Sequence, residues 1–239
     1  MRVVIHGAGA AGIRIAEMLK LSGARQVVLC DSKGVIRADR PGLSGKKKEH
    51  AARTSASTVG EALRGAHVLI GVSAADCIKP EQVAAMAEYP AIFAMANPDP
   101  EIRPEAVAQA MGKKPYVMAT GRSDYPNQIN NVLGFPFLFR GALDSRARRI
   151  NLEMKTAAAK ALAAVARQPV AQQVLDLFPD EGHFEFGRNY IVPKPFDARL
   201  FVEVSYAVAE AAVKSAAAKA MDLPAYRREL ERRNRERMG

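Results

Sequence analysis

Residues 6–14 read HGAGAAGIR, and the glycines at 7, 9 and 12 decide the fold. A G-x-G-x-x-G spacing carries meaning only where a strand runs into it and a helix runs out. Both are present. RVVIH at 2–6 has the character of a buried strand, and Ile13, Ala16, Met18, Leu19 and Leu21 form the apolar face of a helix that Gly23 ends. In that setting Gly7 permits the tight turn, Gly9 lets the backbone approach a pyrophosphate, and Gly12 lets helix and strand pack closely. The free N–H groups at the helix start, around Ala10, Ala11 and Gly12, then face the phosphates with the positive end of the helix dipole.

Working outward, QVVLCD at 26–31 is a second strand, ending on Asp31, 19 residues beyond Gly12. An acidic side chain at that distance accepts hydrogen bonds from the adenosine ribose of NAD. Ser32 and Lys33 follow at once, and Lys46, Lys47 and Lys48 come soon after. Such groups suit the extra 2′-phosphate of NADP. Ser32, Lys33, Lys46 and Lys48 are therefore assigned to the cofactor with Asp31, and Lys47 to solvent. The sequence leaves open which of the three lysines faces the ligand, and so whether NADP or NAD is preferred.

The stretch 32–55 has no clean period and reads as loop with a short helix. Beyond it come a capped helix at 58–66, a strand at 67–73, a helix at 79–88 with Pro80 in its first turn, and strands at 91–97 and 116–121. Strands alternating with helices predict a doubly wound parallel α/β sheet of the Rossmann type. The Ala-rich segments 148–167 and 199–221 predict long C-terminal helices, joined by an irregular connection rather than a domain boundary. One dinucleotide-binding domain over 1–222 and a basic helical tail over 223–239 are expected.

Ligands of open α/β sheets bind at the carboxyl ends of strands. Asn97 sits there in ANPDP, either as a turn former or as a contact to substrate and nicotinamide. A dense polar cluster, Arg122, Asp124, Asn127, Gln128, Asn130 and Asn131, follows the fifth strand and leads into the apolar run VLGFPFLF. Asn131 is assigned to substrate, and Arg122 and Asp124 to structure. The four histidines are scattered; His6 and His67 are expected to be packed. YIVPK at 190–194 fits Tyr-x-x-x-Lys formally, but Pro193 denies it the helical turn that spacing needs.

The net charge of +10 raises nucleic acid as a partner. The tail from Tyr226 holds six arginines against three glutamates, with no aromatic after Tyr226 to stack on a base. It reads as a solvated helix with Glu229–Arg233 and Glu231–Arg235 pairs, not as a nucleic-acid contact. No apolar run approaches the ~18 residues of a membrane span. Two cysteines without a metal or CxxC spacing, and a start that enters a strand directly, fit a cytoplasmic protein.

Together the segments GAGAAGI, LCDSKGVI, LIGVSA, FAMANPDPEI, ATGRSDYPNQINNVLGFPFLFRGALD and NYIVPKPFDARL resemble the cofactor-binding domain of malic enzymes, from about Val3 to about Ala220. FGRNYIVPKPFDARL followed by LPAYRRELE is most similar to the bacterial NADP-dependent hybrid type, in which a phosphate-acetyltransferase-like domain follows. The resemblance implies oxidative decarboxylation of malate to pyruvate with reduction of NADP or NAD, in a homo-oligomer that requires Mg²⁺ or Mn²⁺. It matches Asn97 and Asn131 to amides that touch substrate and nicotinamide. It also implies that the general acid/base Tyr and Lys and the metal carboxylates belong to an N-terminal malic domain. No catalytic residue and no metal ligand is assigned within this chain, and the chain alone is expected to be inactive. The competing expectations are a non-catalytic dinucleotide-binding or assembly module, a self-sufficient dehydrogenase of another hydroxy or amino acid, and a nucleic-acid binder.

Overall fold

A computed structural model describes residues 1–43, 45–179 and 184–238. His183 lies outside the described residues. Two compact units form, Met1–Gln128 and Ile129–Gly239. The division therefore falls after Gln128, and the tail from 223 belongs to the second unit.

The first unit is built on β1 (Arg2–His6), β2 (Gln26–Asp31), β3 (Gly34–Val35), β4 (Val68–Gly71), β5 (Ala91–Ala94) and β6 (Val117–Thr120), in the order β3-β2-β1-β4-β5-β6. All neighbours are parallel except the two-residue β3, which turns back antiparallel on β2. This is the Rossmann-type sheet expected, with one short strand added. Side chains of a strand alternate between faces, and both faces are covered. Val4, Cys30, Leu69 and Ile92 pack under α3 (Val59–Leu63), α4 (Pro80–Ala84) and α5 (Pro104–Met111), while Val3, Ile5, Leu29 and Ile70 pack under α1 (Ala10–Leu21). Burial on both sides is why the strands read as continuous apolar runs.

Local signals account for the helix starts. Thr58 and Glu61 form a reciprocal capping box on α3. Pro80 and Pro104 open α4 and α5, where a missing N–H costs nothing. α5 was not anticipated. The 32–55 stretch holds β3 and the short α2 (Gly45–Glu49).

The second unit is helical. A 3-10 turn (Asn131–Leu133) leads into α6 (Phe135–Asp144), α7 (Leu152–Ala166), α8 (Gln172–Leu177), α9 (Arg199–Lys214) and α10 (Leu223–Met238). α9 is the centre: Leu200, Val204 and Val208 face α6 and α7, while Phe201, Val202 and Ala209 face Tyr226 and Leu230 of α10. A Cβ on Gly141 of α6 would collide with the Ser205 carbonyl of α9, so glycine sets that approach. α9 ends at Lys214, not 221, and Ala216 takes φ +54°. α10 is no free tail: Leu230 is fully buried. Its Glu229 pairs with Arg233 at 2.7 Å, whereas Glu231 reaches back to Arg227 at 3.2 Å rather than on to Arg235. Residues 190–194 are not helical. No helix among the described residues is long and apolar enough to cross a membrane.

Candidate functional site

The loop between β1 and α1 gives each glycine a different reason. Gly7 has φ +120°, and a Cβ there would strike the carbonyl oxygen of Val72. A Cβ on Gly12 would strike the carbonyl oxygen of Gly7. Both are required by the fold itself. Gly9 is not. Its φ of −82° suits any residue, and a Cβ built on it meets nothing within 4 Å. No side chain caps α1, so the N–H groups of its first turn, at Ala10, Ala11 and Gly12, lack intrahelical acceptors. Open space before uncapped donors is what a phosphate group occupies.

Asp31, at the end of β2, is surrounded by cations. Arg40 donates to both carboxylate oxygens at 2.9 and 3.0 Å, Lys47 donates to Oδ2 at 2.8 Å, and the Lys33 backbone N–H donates to Oδ1 at 3.0 Å. A carboxylate has about four acceptor sites, so this one is filled. Burial alone would raise its pKa, but the Arg40 and Lys47 hydrogen bonds outweigh burial and hold it well below the usual carboxylate range. Lys47, expected in solvent, is the one that reaches Asp31, while Lys46 leans toward Glu17 at 3.6 Å and Lys48 is exposed. Ser32 and Lys33 are exposed beside Asp31.

A cavity of about 550 Å³ joins Gly7, Asp31, Ser32 and Lys33 to His6 and Cys77. His6 is half-buried and on the cavity wall rather than simply packed. Its Nδ1 lies 3.0 Å from Ser73 Oγ and 3.3 Å from Cys77 Sγ. Burial lowers its pKa, against the opposing charges of Glu101 and Asp31, which favours the neutral ring. Cys30 is inert by contrast, fully buried and pushed up to about 12 by burial and by Asp31. His67 is exposed, not packed, and accepts from the Arg2 N–H at 3.1 Å. His50 is buried beside Lys20, at 3.1 Å.

Asn97 is exposed just past β5, before a cis bond to Pro98. Beneath that loop lies Glu101, fully buried. Its carboxylate accepts from the Ser73 N–H at 2.8 Å and from the Ala96 N–H at 3.0 Å. Sequence reasoning passed over Glu101, although Gly71, a glycine inside a strand, signalled a close approach: a Cβ there would collide with the Glu101 carboxylate. Arg122 and Asp124 pair with each other through two bonds of 2.9 and 2.7 Å, and buried Asn127 donates to the Met118 carbonyl at 2.9 Å. In the second unit Asn130 caps the 3-10 turn, its Oδ1 accepting from the Val132 N–H at 3.1 Å. Asn131 is exposed and is not the cap. Among the described residues no three His, Cys, Asp or Glu side chains stand together as metal ligands. The divalent metal implied by the resemblance is therefore not fitted by these residues alone.

The family described as "Malic enzyme, NAD binding domain" matches residues 1–182. The NADP-dependent malic enzyme of Halomonas elongata is 49% identical over 91% of this chain and 51% of its own length. That of Rhizobium meliloti is 47% identical over 97% of this chain but 31% of its own length. The crystal structure of malic enzyme from Pyrococcus horikoshii superposes with a TM-score of 0.81 at 32% identity, over 97% of this chain and 52% of that one. The chain thus spans 29–51% of the length of the curated relatives it matches. An open glycine in an uncapped strand-to-helix turn, an acidic residue closing the next strand and a cavity running from that residue to Gly7 of the same turn agree with that match: the chain belongs to the malic enzyme NAD-binding domain family.

Proposed function

We propose that this chain is the cofactor-binding part of an NADP-linked malic enzyme, an oxaloacetate-decarboxylating malate dehydrogenase. Gly9 carries the reading. Neither its backbone angles nor its neighbours need a glycine, so the missing side chain serves something from outside. Bound NADP supplies a hydride acceptor. The chain's own groups bind and orient it: N–H groups of Ala10, Ala11 and Gly12 on the pyrophosphate, and Ser32, Lys33, Arg40 and Lys47 on the 2′-phosphate. NADP is favoured over NAD because the acceptor sites of Asp31 are already taken by Arg40, Lys47 and Lys33. A ribose diol finds no free lone pair there, whereas a phosphate takes over donors of Arg40 and Lys47 from Asp31.

Asn97 and Asn131 are proposed to contact nicotinamide and substrate, their amides suiting a carboxamide and a dicarboxylate. The acid/base pair and the metal ligands would come from a malic domain that complements residues 1–222, and the chain alone would not turn malate over. A homo-oligomer in the cytoplasm and a phosphate-acetyltransferase-like neighbour domain belong to the same reading. Titration of NADP into Gly9→Val tests it. Binding should be lost with the melting temperature unchanged, because the added side chain meets no protein atom near its Cβ. Unaltered affinity would place the cofactor elsewhere. Metal-dependent reduction of NADP with malate by the pure chain would refute the need for a second domain.

A further inference from the structure

We propose that Glu101 is a positioning residue that sets the nicotinamide end of the dinucleotide site; this rests on the reading that the first unit binds NADP. The observation is a fully buried carboxylate that no salt bridge among the described residues neutralises and that two backbone N–H groups hold instead, at Ser73 and Ala96, with the Ser73 hydroxyl donating more distantly at 3.4 Å. Those residues lie just past the ends of β4 and β5, neighbouring strands on the far side of β1 from Asp31. A dinucleotide lies across the crevice where strand order reverses. If Asp31 marks the adenosine half, the β4 and β5 ends carry the nicotinamide half.

Glu101 ties those two ends together by more than its side chain. Its carbonyl accepts from the Ile78 N–H at 2.9 Å, and the preceding Pro100 carbonyl accepts from Asp76 at 3.0 Å. The loop after β4 and the loop after β5 are thereby stapled into one rim. Ala96, gripped by the carboxylate, is the residue before Asn97, so the clamp fixes where the Asn97 side chain leaves the chain. Burying a carboxylate is costly, and an apolar side chain would fill the same space without aligning two N–H groups. Gly71 is the complement, since any side chain there would evict the carboxylate.

The test compares NADP with adenosine 2′,5′-bisphosphate, which carries the adenosine half and no nicotinamide. Glu101→Gln offers one oxygen where two N–H groups need acceptors. Gly71→Ala displaces the carboxylate from the other side, and serves if Glu101→Gln does not fold. Each variant should bind NADP at least about 10-fold more weakly, about 1.4 kcal/mol. Each should bind the bisphosphate within about 2-fold of the parent chain, and NADPH should lose the shift in nicotinamide fluorescence that binding to the parent is expected to produce. Equal weakening of both ligands would make Glu101 a general support of the fold and overturn the proposal, as would unchanged NADP affinity. If the parent chain binds neither ligand, the dinucleotide reading fails first and this proposal with it.

Discussion

Replacing Lys47 by alanine should separate NADP from NAD. Lys47 pairs with Asp31 at 2.8 Å, beside the paired Arg40. A 2′-phosphate arriving there would take one charge-assisted hydrogen bond from Lys47. Such a bond contributes about 1.5–3 kcal/mol, and each ~1.4 kcal/mol is a factor of ten. The dissociation constant for NADP should therefore rise by roughly 10- to 150-fold, while that for NAD moves by less than about 3-fold. Lys46→Ala and Lys48→Ala are the controls. Lys46 makes only an exposed 3.6 Å pair with Glu17, and exposed pairs are worth about 0–1 kcal/mol, so both controls should stay within about 5-fold. Calorimetric titration with both cofactors at fixed salt reads the difference. Equal weakening of NADP and NAD, or a larger loss in a control than in Lys47→Ala, would refute the assignment.

The Asp31 carboxyl is held below its unfolded value of about 3.9, so its contribution to stability is present above that value and is lost as pH falls through the folded value. Melting temperatures of the parent and Asp31→Asn should begin to converge as pH falls below about 4 and keep converging toward the lower folded value; a constant gap would mean the pairs contribute nothing. In an enzyme that includes a malic domain, Asn131→Ala should lower kcat/KM for malate about 10- to 100-fold, the worth of a hydrogen bond to a charged group, with unchanged melting. Asn130→Ala, which removes the cap, should lower the melting temperature instead. Leu69→Ala, emptying a fully buried position in β4, should cost about 2–5 kcal/mol in urea unfolding; less than 1 would mean the sheet closes over the gap.

The β1 turn was legible because its demands are local: Gly7 and Gly12 are fixed by atoms a few residues or one strand away. The places of Asp31 and Asn97, at the end of β2 and just past β5, were legible because the apolar runs before them mark the strands. The partners of Asp31 were not. They arrive because β3 folds the chain back along β2, with the Ile36 N–H on the Leu29 carbonyl at 2.8 Å and the Ala52 N–H on the Ile36 carbonyl at 2.8 Å. That reversal places Arg40 and Lys47 beside a carboxylate nine and sixteen residues earlier, and no period in the sequence announces it. α5 escaped notice because eight residues give too few turns for a periodic face. The end of α9 escaped because alanine continues past it without a helix-ending glycine or proline.

Arg40 and Lys47 do not wait as bare cations, since Asp31 already serves as their resident counter-ion. A phosphate entering this site exchanges with an anion the protein carries, rather than with chloride drawn from solution. Few small ions are released in such an exchange, so NADP affinity should depend on ionic strength less steeply than two unpaired cations would make it. The tethered carboxylate also sets a threshold: a dilute free anion competes against a partner held at hydrogen-bond distance, whereas a ligand anchored elsewhere, through its 5′-phosphate or pyrophosphate, has the local concentration to win.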